Sequence, residues 1–338
     1  MLFSWEKRRR VAMGSERLEY VDILKGIGIL LVIFSHSGAE ECLMNYMGDF
    51  FVPFFFVASG YTFRDNGQPF MHVIQKRVWK LLKPYFFFSV VLILLYHRFS
   101  LSDILGVLYS RYCLYPYHVE ENLFLMGGGN PPLWFLTAMM SGFVPFLFLM
   151  RHPEKAQYIL LAFILYTFGC QYLPILLPWS IDTACLTAAF LYAGVRLRRI
   201  SNYFSWPFYV HILIVAAFFV TSLGNGSDNF SVREYGRSFL LYYFACVLGT
   251  MSLLWLSKHL ETTFVSRFLV ALGRHSLVIF CIQMFLLRIA HQVFHGMLHL
   301  PTVGFEFYMI SFIKVLFVAM FGLYISKLMT RFMPWLFR

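Results

Sequence analysis

The sequence predicts an all-α, polytopic integral membrane protein of about ten transmembrane helices, and three observations carry that prediction. Of its 338 residues, 59% are apolar and only 13% charged, with 40 phenylalanines and a mean hydropathy of +0.66. A soluble domain is nearer half apolar and a quarter charged, so its polar residues could not cover this much hydrocarbon in water. Apolar runs near the roughly 20-residue length of a bilayer-spanning helix recur along the whole chain. Lys and Arg concentrate in alternate connecting segments, as the positive-inside rule requires. The same figures exclude disordered and collagen-like chains. The six cysteines are scattered without a CxxC pair, which predicts small buried hydrophobes rather than a disulfide framework or zinc knuckle.

The predicted spans, in order, are 20–38, 47–63, 81–97, 132–150, 157–173, 176–195, 205–223, 236–257, 268–290 and 307–328. The first follows Lys7-Arg8-Arg9-Arg10. It lacks a small-residue cleavage site and nine spans follow it, so it reads as a retained helix rather than a signal peptide. Pro53, Pro84 and Pro145 interrupt the second, third and fourth spans. The segment 98–131 has the Leu and aromatic spacing of a helix lying in the membrane interface. It ends in Gly127-Gly128-Gly129-Asn130-Pro131-Pro132, a flexible join and helix start; no Walker lysine follows the glycines. The last span is followed by only a short tail, with no further extracytoplasmic domain expected.

With the N-terminus inside, twenty of the 28 Lys and Arg residues fall on the cytoplasmic side, including a basic tail over 1–19. The outer segments hold only Arg98, Arg111, Arg233, Arg237 and Arg288. Glu40, Glu41, Asp49, Asp103, Glu120 and Glu121 lie outside. Both termini are therefore expected in the cytoplasm, in one domain over 1–338. This placement accounts for the net charge of +11 without a nucleic-acid partner; the expected contacts are membrane lipids and small molecules.

Ionisable residues inside a span are costly and usually face a cavity. The first span carries Asp22, Lys25 and His36. Eleven steps of about 100° return His36 to nearly the face of Lys25, roughly 16 Å along the axis, with Asp22 one turn below. Gly26 and Gly28 thin the helix beside this stripe, for close packing or a ligand slot. The ordinary alternative is a snorkelling Lys25 paired with Asp22 and a His36 that caps the outer end. A second cluster, KRVWKLLKPY, puts Arg77 and Lys80 on one face at i, i+3. As plain residues they are positive-inside anchors; as a site they suit phosphate, Arg as a planar fork and Lys as a point charge.

Several stretches together resemble the acyltransferase-3 family of integral membrane acyltransferases. The basic residue and histidine of DILKGIGILLVIFSH, ten residues between them, resemble its signature helix. FFVPFFFVASGYTF, KRVWKLLKPY, PPLWFL and LGRHSLVIFCIQ are similar to further family stretches. LPWSIDTACLTAAFLYAGVRL looks like the polysaccharide and fucose O-acetylase-like branch. The resemblance implies a membrane O-acyltransferase of the cytoplasmic (inner) membrane, moving an acyl group, usually acetyl, from cytoplasmic acetyl-CoA to a hydroxyl of an extracytoplasmic glycan. By position, His36 takes the essential histidine, Lys25 the basic residue, and Arg77 and Lys80 the basic pair that serves the CoA phosphates. Lys25 replaces the commoner Arg, and Gln283 stands where many relatives have a histidine; an amide cannot serve as a base.

Acyl transfer to an alcohol needs a base, and a neutral imidazole titrates near the working pH, so His36 is the expected general base, with Asp22 as a second catalytic group. Transfer runs either directly or through an acyl-enzyme on Ser35 or Ser59. Asp182 is expected to hold acceptor hydroxyls, with a helix-start carboxylate the competing reading. Trp134 and Tyr61 are expected to stack on sugar or pantetheine, and Ser59 to line the substrate site. Arg274 and Ser276 either contact CoA or serve as anchor and cap. His211 reads as a satisfied core histidine. His291, His295 and His299 share a helix edge, but HQVFH lacks a metalloprotease glutamate and no metal is expected. The alternative function is a multi-pass transporter or flippase, which also needs charged stripes and broken helices but usually in two matching halves.

Overall fold

The computed structural model describes residues 18–39, 46–48, 50–116, 122–125 and 131–337. Residues 1–17 of the basic tail, Glu40, Glu41, Cys42, Asp49, Glu120, Glu121 and the glycines at 127–129 lie outside these. Among the described residues the chain is helical, with two isolated β-bridges, Cys113 with Phe124 and Asn229 with Glu234.

Among the described residues eleven α-helices follow one another. They are α1 (Glu19–Phe34), α2 (Pro53–Tyr61), α3 (Phe70–Leu95), α4 (Leu101–Tyr109), α5 (Trp134–Arg151) and α6 (Ala156–Gln171). Then come α7 (Ala184–Arg198), α8 (Phe208–Asn225), α9 (Phe239–Leu260), α10 (Ser266–His291) and α11 (Gly304–Phe332). A helix overlies each of the ten expected spans. Six (α3, α5, α8, α9, α10 with the turn after it, and α11) are long and apolar enough to cross a membrane. Their outer surfaces carry unpartnered apolar side chains such as Leu213, Val220, Phe312 and Met320, which suits lipid rather than water. α4 is the one described α-helix within the segment 98–131. A capping box between Ser100 and Asp103 starts it, and Leu101, Ile104, Leu105 and Leu108 stay exposed along it.

The boundaries differ where local chemistry overrides hydropathy. α3 begins eleven residues before the expected third span, so KRVWKLLKPY is itself helical, with Pro84 inside the helix. α7 begins eight residues later than the sixth span. Residues 178–183 form a 3-10 turn in which Trp179 and Ser180 both take left-handed backbone angles, a strained conformation for non-glycine residues. α10 runs into a π-helical turn, Gln292–Met297.

Two close crossings organise the bundle. A Cβ on Gly26 would lie 2.2 Å from the Leu269 carbonyl oxygen, and one on Gly273 only 1.8 Å from that of Asp22. α1 and α10 thus meet backbone to backbone, and the first-span glycines serve packing. Gly60 and Gly194 do the same for α2 and α7, against the carbonyls of Leu191 and Val57. Small residues at such crossings let helices gain dispersion contacts that lipid cannot supply. Around them the core is aromatic, with Phe54, Phe56, Phe190 and Phe230 fully buried and Phe56 stacked on Phe135 at 4.8 Å.

Candidate functional site

The close α1–α10 crossing leaves a recess beside it. Lys25 of α1, Ser59 just inside the end of α2, Arg77 and Lys80 of α3 and Arg274 and Ser276 of α10 line one cavity of about 480 Å³. Four separate stretches of the sequence thus meet at one cavity. Arg274 and Ser276, for which anchor and cap are the stronger expectations on sequence grounds, are on its wall. His275, Ser326 and Thr330 line it too; no sequence motif marks the latter two. Phe55, Phe135, Met139 and Val278 supply an apolar lining.

Arg77 is held from two sides. Its guanidinium donates to Ser59 Oγ and lies over the Phe143 ring, 5.1 Å from its centroid. Its Nε is buried with no hydrogen-bond partner among the described residues. A guanidinium so fixed keeps donor capacity for an anion. Arg274 Nε donates to Asp22 Oδ2 at 3.2 Å, and its NH2 lies 3.9 Å from Glu19. Asp22 is 3% exposed.

That pairing corrects the catalytic role expected for Asp22. Fourteen residues separate it from His36, about 20 Å along the helix, so it cannot pass a proton to the imidazole directly. Its carboxylate instead orients Arg274. His36 sits exposed in the turn that ends α1, beyond Phe34. It is not on the cavity wall; the cavity and the imidazole occupy opposite ends of α1.

Three other expected positions are occupied differently. Asp182 is fully buried. Its Oδ1 pairs with Arg111, and its Oδ2 lies 3.1 Å from Arg233 Nε and accepts from the Leu177 N–H at 3.1 Å. Arg111 and Arg233, themselves buried, also donate to the carbonyls of Leu177 and Ser231 and of Leu173 and Ile175. Both carboxylate oxygens are committed to closing the loops before α7 and α9, so a loop clamp replaces both expected roles, acceptor binding and helix start; no side chain caps α7. Trp134 is buried with its ring stacked on Phe230 at 5.9 Å, which leaves that face unable to meet a sugar. Tyr61 is buried and its hydroxyl meets that of Tyr20 at 2.9 Å, beside the start of α1 rather than near His36.

His211 is buried but not satisfied: neither ring nitrogen has a hydrogen-bond partner among the described residues. It is held by stacking on Trp255 at 5.1 Å and by the edge of Tyr203. The His291 and His295 rings lie 4.8 Å apart, tilted by 48°, but His295 turns to the Leu300 carbonyl and Lys314. Among the described residues no three His, Cys, Asp or Glu side chains converge for a metal ion. Lys314 is the residue that sequence reasoning missed. It lies 1% exposed in α11 and donates to the Ser37 carbonyl at 2.9 Å, next to His36. The signal was available, since an ionisable residue inside a span is the same criterion that singled out Lys25.

No curated protein and no solved structure matches the chain. A family model described as an acyltransferase domain, that of acyltransferase-3, matches residues 18–328. That stretch takes in α1 with Lys25 and His36, the whole cavity wall contributed by α2, α3 and α5, and nearly all of α11: the chain belongs to the acyltransferase-3 family.

Proposed function

We propose that this membrane acyltransferase crosses the inner (cytoplasmic) membrane ten times with both ends in the cytoplasm. It moves an acetyl group from cytoplasmic acetyl-CoA to a hydroxyl of an extracytoplasmic glycan, as in the polysaccharide O-acetylase-like branch. The observation that carries this reading is the convergence of Lys25, Arg77, Lys80 and Arg274 on one cavity at the basic end of α1, whose other end bears His36.

Four cations with neighbouring hydroxyls fit a ligand carrying several phosphates, because charge-assisted bonds to Arg and Lys are the strong ones. Phe55, Phe135, Met139 and Val278 fit an apolar arm directed along α1. The roughly 16 Å between Lys25 and His36 is a distance that an extended pantetheine arm covers. At the far end His36 takes the proton of the acceptor hydroxyl as its oxygen attacks the thioester carbonyl. When the tetrahedral adduct collapses, the C–S bond breaks and the imidazolium returns the proton to the thiolate. Direct transfer is favoured over an acyl-enzyme. Ser35 Oγ donates to the Val32 carbonyl at 2.9 Å, and Ser59 Oγ is engaged by Arg77 at the opposite end of α1.

The test is thiol release by purified protein in nanodiscs given acetyl-CoA and a panel of glycan acceptors, with His36→Ala alongside. Acceptor-dependent release that the variant abolishes supports donor, class and base together. Full turnover by folded His36→Ala removes the base. Neither release nor binding of CoA by the wild type removes the donor.

A further inference from the structure

Lys314 is a charged side chain of a membrane-embedded helix, yet it is almost completely buried. Its contacts form a connected set. The ammonium donates to the Ser37 carbonyl at 2.9 Å, lies 3.3 Å from His295 Nε2, and sits 5.1 Å from the centroid of the Phe307 ring. His295 Nδ1 is 3.0 Å from the Leu300 carbonyl. A carbonyl can only accept, so Nδ1 carries the proton. Nε2 then offers its lone pair to Lys314. His295 reaches this position from the π-helical turn Gln292–Met297 that follows α10. Such turns are rare and are found frequently at functional sites.

The other end of the arrangement is the C-terminus of α1. The last helical carbonyls of α1 are already served, those of Leu31, Ile33 and Phe34 by the N–H groups of Ser35, His36 and Ser37 and that of Val32 by Ser35 Oγ, while the helix end keeps its partial negative charge. α1 has no basic residue in its last turn. Lys314 reaches from α11 to serve the carbonyl of Ser37, in the turn of Ser35 to Gly38 that carries His36.

We propose that Lys314, oriented by His295, is a positioning residue for His36: from a neighbouring helix it bonds the Ser37 carbonyl and holds the turn after α1 that aims the imidazole. This inference rests on the acyltransferase reading of His36. It adds α11 and the turn after α10 to the machinery of a site otherwise read from α1. The ammonium touches the backbone beside the base rather than any substrate, so its removal acts on the chemical step and leaves the distant donor cavity intact.

The experiment compares wild type, Lys314→Met, Lys314→Gln and Lys314→Arg, as full-length protein in nanodiscs. Two readouts are taken: acceptor-dependent CoA release over a range of acetyl-CoA concentrations, and the rate at which diethyl pyrocarbonate modifies His36, followed by mass spectrometry with exposed His72 as reference. Misplacing a catalytic group by about an ångström costs on the order of 10²-fold. Lys314→Met and Lys314→Gln are therefore expected to lower kcat roughly ten- to a hundredfold with KM for acetyl-CoA unchanged, and Lys314→Arg to recover part of the loss. The His36 modification rate is expected to change while that of His72 does not. Wild-type kcat and His36 reactivity in any folded neutral variant overturns the proposal, as does a loss confined to KM. If wild-type turnover survives His36→Ala, the acyltransferase role of His36 fails instead, and the modification rates alone still decide whether Lys314 sets the imidazole.

Discussion

Asp22 and Arg274 are tied at 3.2 Å across the close crossing of α1 and α10, where Gly273 packs on the Asp22 carbonyl itself. The carboxylate is buried, while the guanidinium is 43% exposed at the cavity rim. The pair therefore aims a cation at a ligand rather than storing much folding energy, since half-exposed ion pairs contribute about 1 kcal/mol or less. Asp22→Asn is expected to raise KM for acetyl-CoA several-fold, keep kcat within about threefold and leave thermal stability within about 1 kcal/mol of wild type. A hundredfold fall in kcat at unchanged KM would instead place Asp22 in the proton path. Steady-state kinetics on the purified variant distinguishes the two.

Arg77 is the most constrained cation of the cavity, clamped by Ser59 and by the Phe143 ring. A hydrogen bond from a charged group contributes roughly 1.5–3 kcal/mol. Arg77→Gln is accordingly expected to weaken CoA binding about ten- to a hundredfold. Arg77→Lys should recover little, because a point charge replaces neither the fork nor the stacking on Phe143. Lys80→Gln, at a more exposed position, should cost less and lose most of its effect at high salt. Equilibrium CoA binding in nanodiscs at two ionic strengths measures both.

How much of this could be read from the chain alone follows from what hydropathy encodes. The ten apolar segments and the Leu-rich stretch of α4 are set by local composition, and each carries a helix. Lys25, Arg77 and Lys80 share one cavity because a cation inside or beside a span has few places to go except a polar recess. What could not be read are pairings between distant segments. Asp182 has the same one-letter surroundings whether it holds a sugar or a pair of arginines. Only the approach of residues 111 and 233 decides it. Trp134 and Tyr61 failed for a related reason: in a core this rich in aromatics, a ring's partner is usually another ring. α7 started late because the left-handed angles at Trp179 and Ser180 arise from the closure of that loop, not from a glycine signal.

The glycine crossing of α2 on α7 predicts a stability effect without a direct chemical one. A Cβ at Gly60 would stand 1.8 Å from the Leu191 carbonyl oxygen, and one at Gly194 2.0 Å from that of Val57. Backbone atoms cannot swing aside as a flexible side chain can, so the helices must separate. Overpacking of this kind costs about 1–3 kcal/mol. Gly60→Ala and Gly194→Ala are each expected to lower the melting temperature in detergent. The double variant should fall short of additivity, because the first substitution already opens the crossing. An unchanged melting temperature in both single variants would mean that the helices do not meet here.

The Asp182 cluster predicts the largest loss of stability. One carboxylate lies between two buried guanidiniums, and those guanidiniums satisfy the carbonyls that end α6 and precede α7. Removing one partner of a buried ion pair typically costs about 3–5 kcal/mol, because the opposite charge stays out of water without compensation. Asp182→Ala leaves two such charges and a Leu177 N–H without its acceptor, so the protein is expected to reach the membrane at a small fraction of the wild-type level. Asp182→Asn keeps a carbonyl for one guanidinium and for the Leu177 N–H, and its loss should be smaller. If Asp182 instead held an acceptor hydroxyl, Asp182→Asn would accumulate normally, bind CoA normally and fail only in acceptor-dependent turnover. Membrane abundance, CoA binding and turnover measured on the one variant therefore separate a loop clamp from a substrate contact.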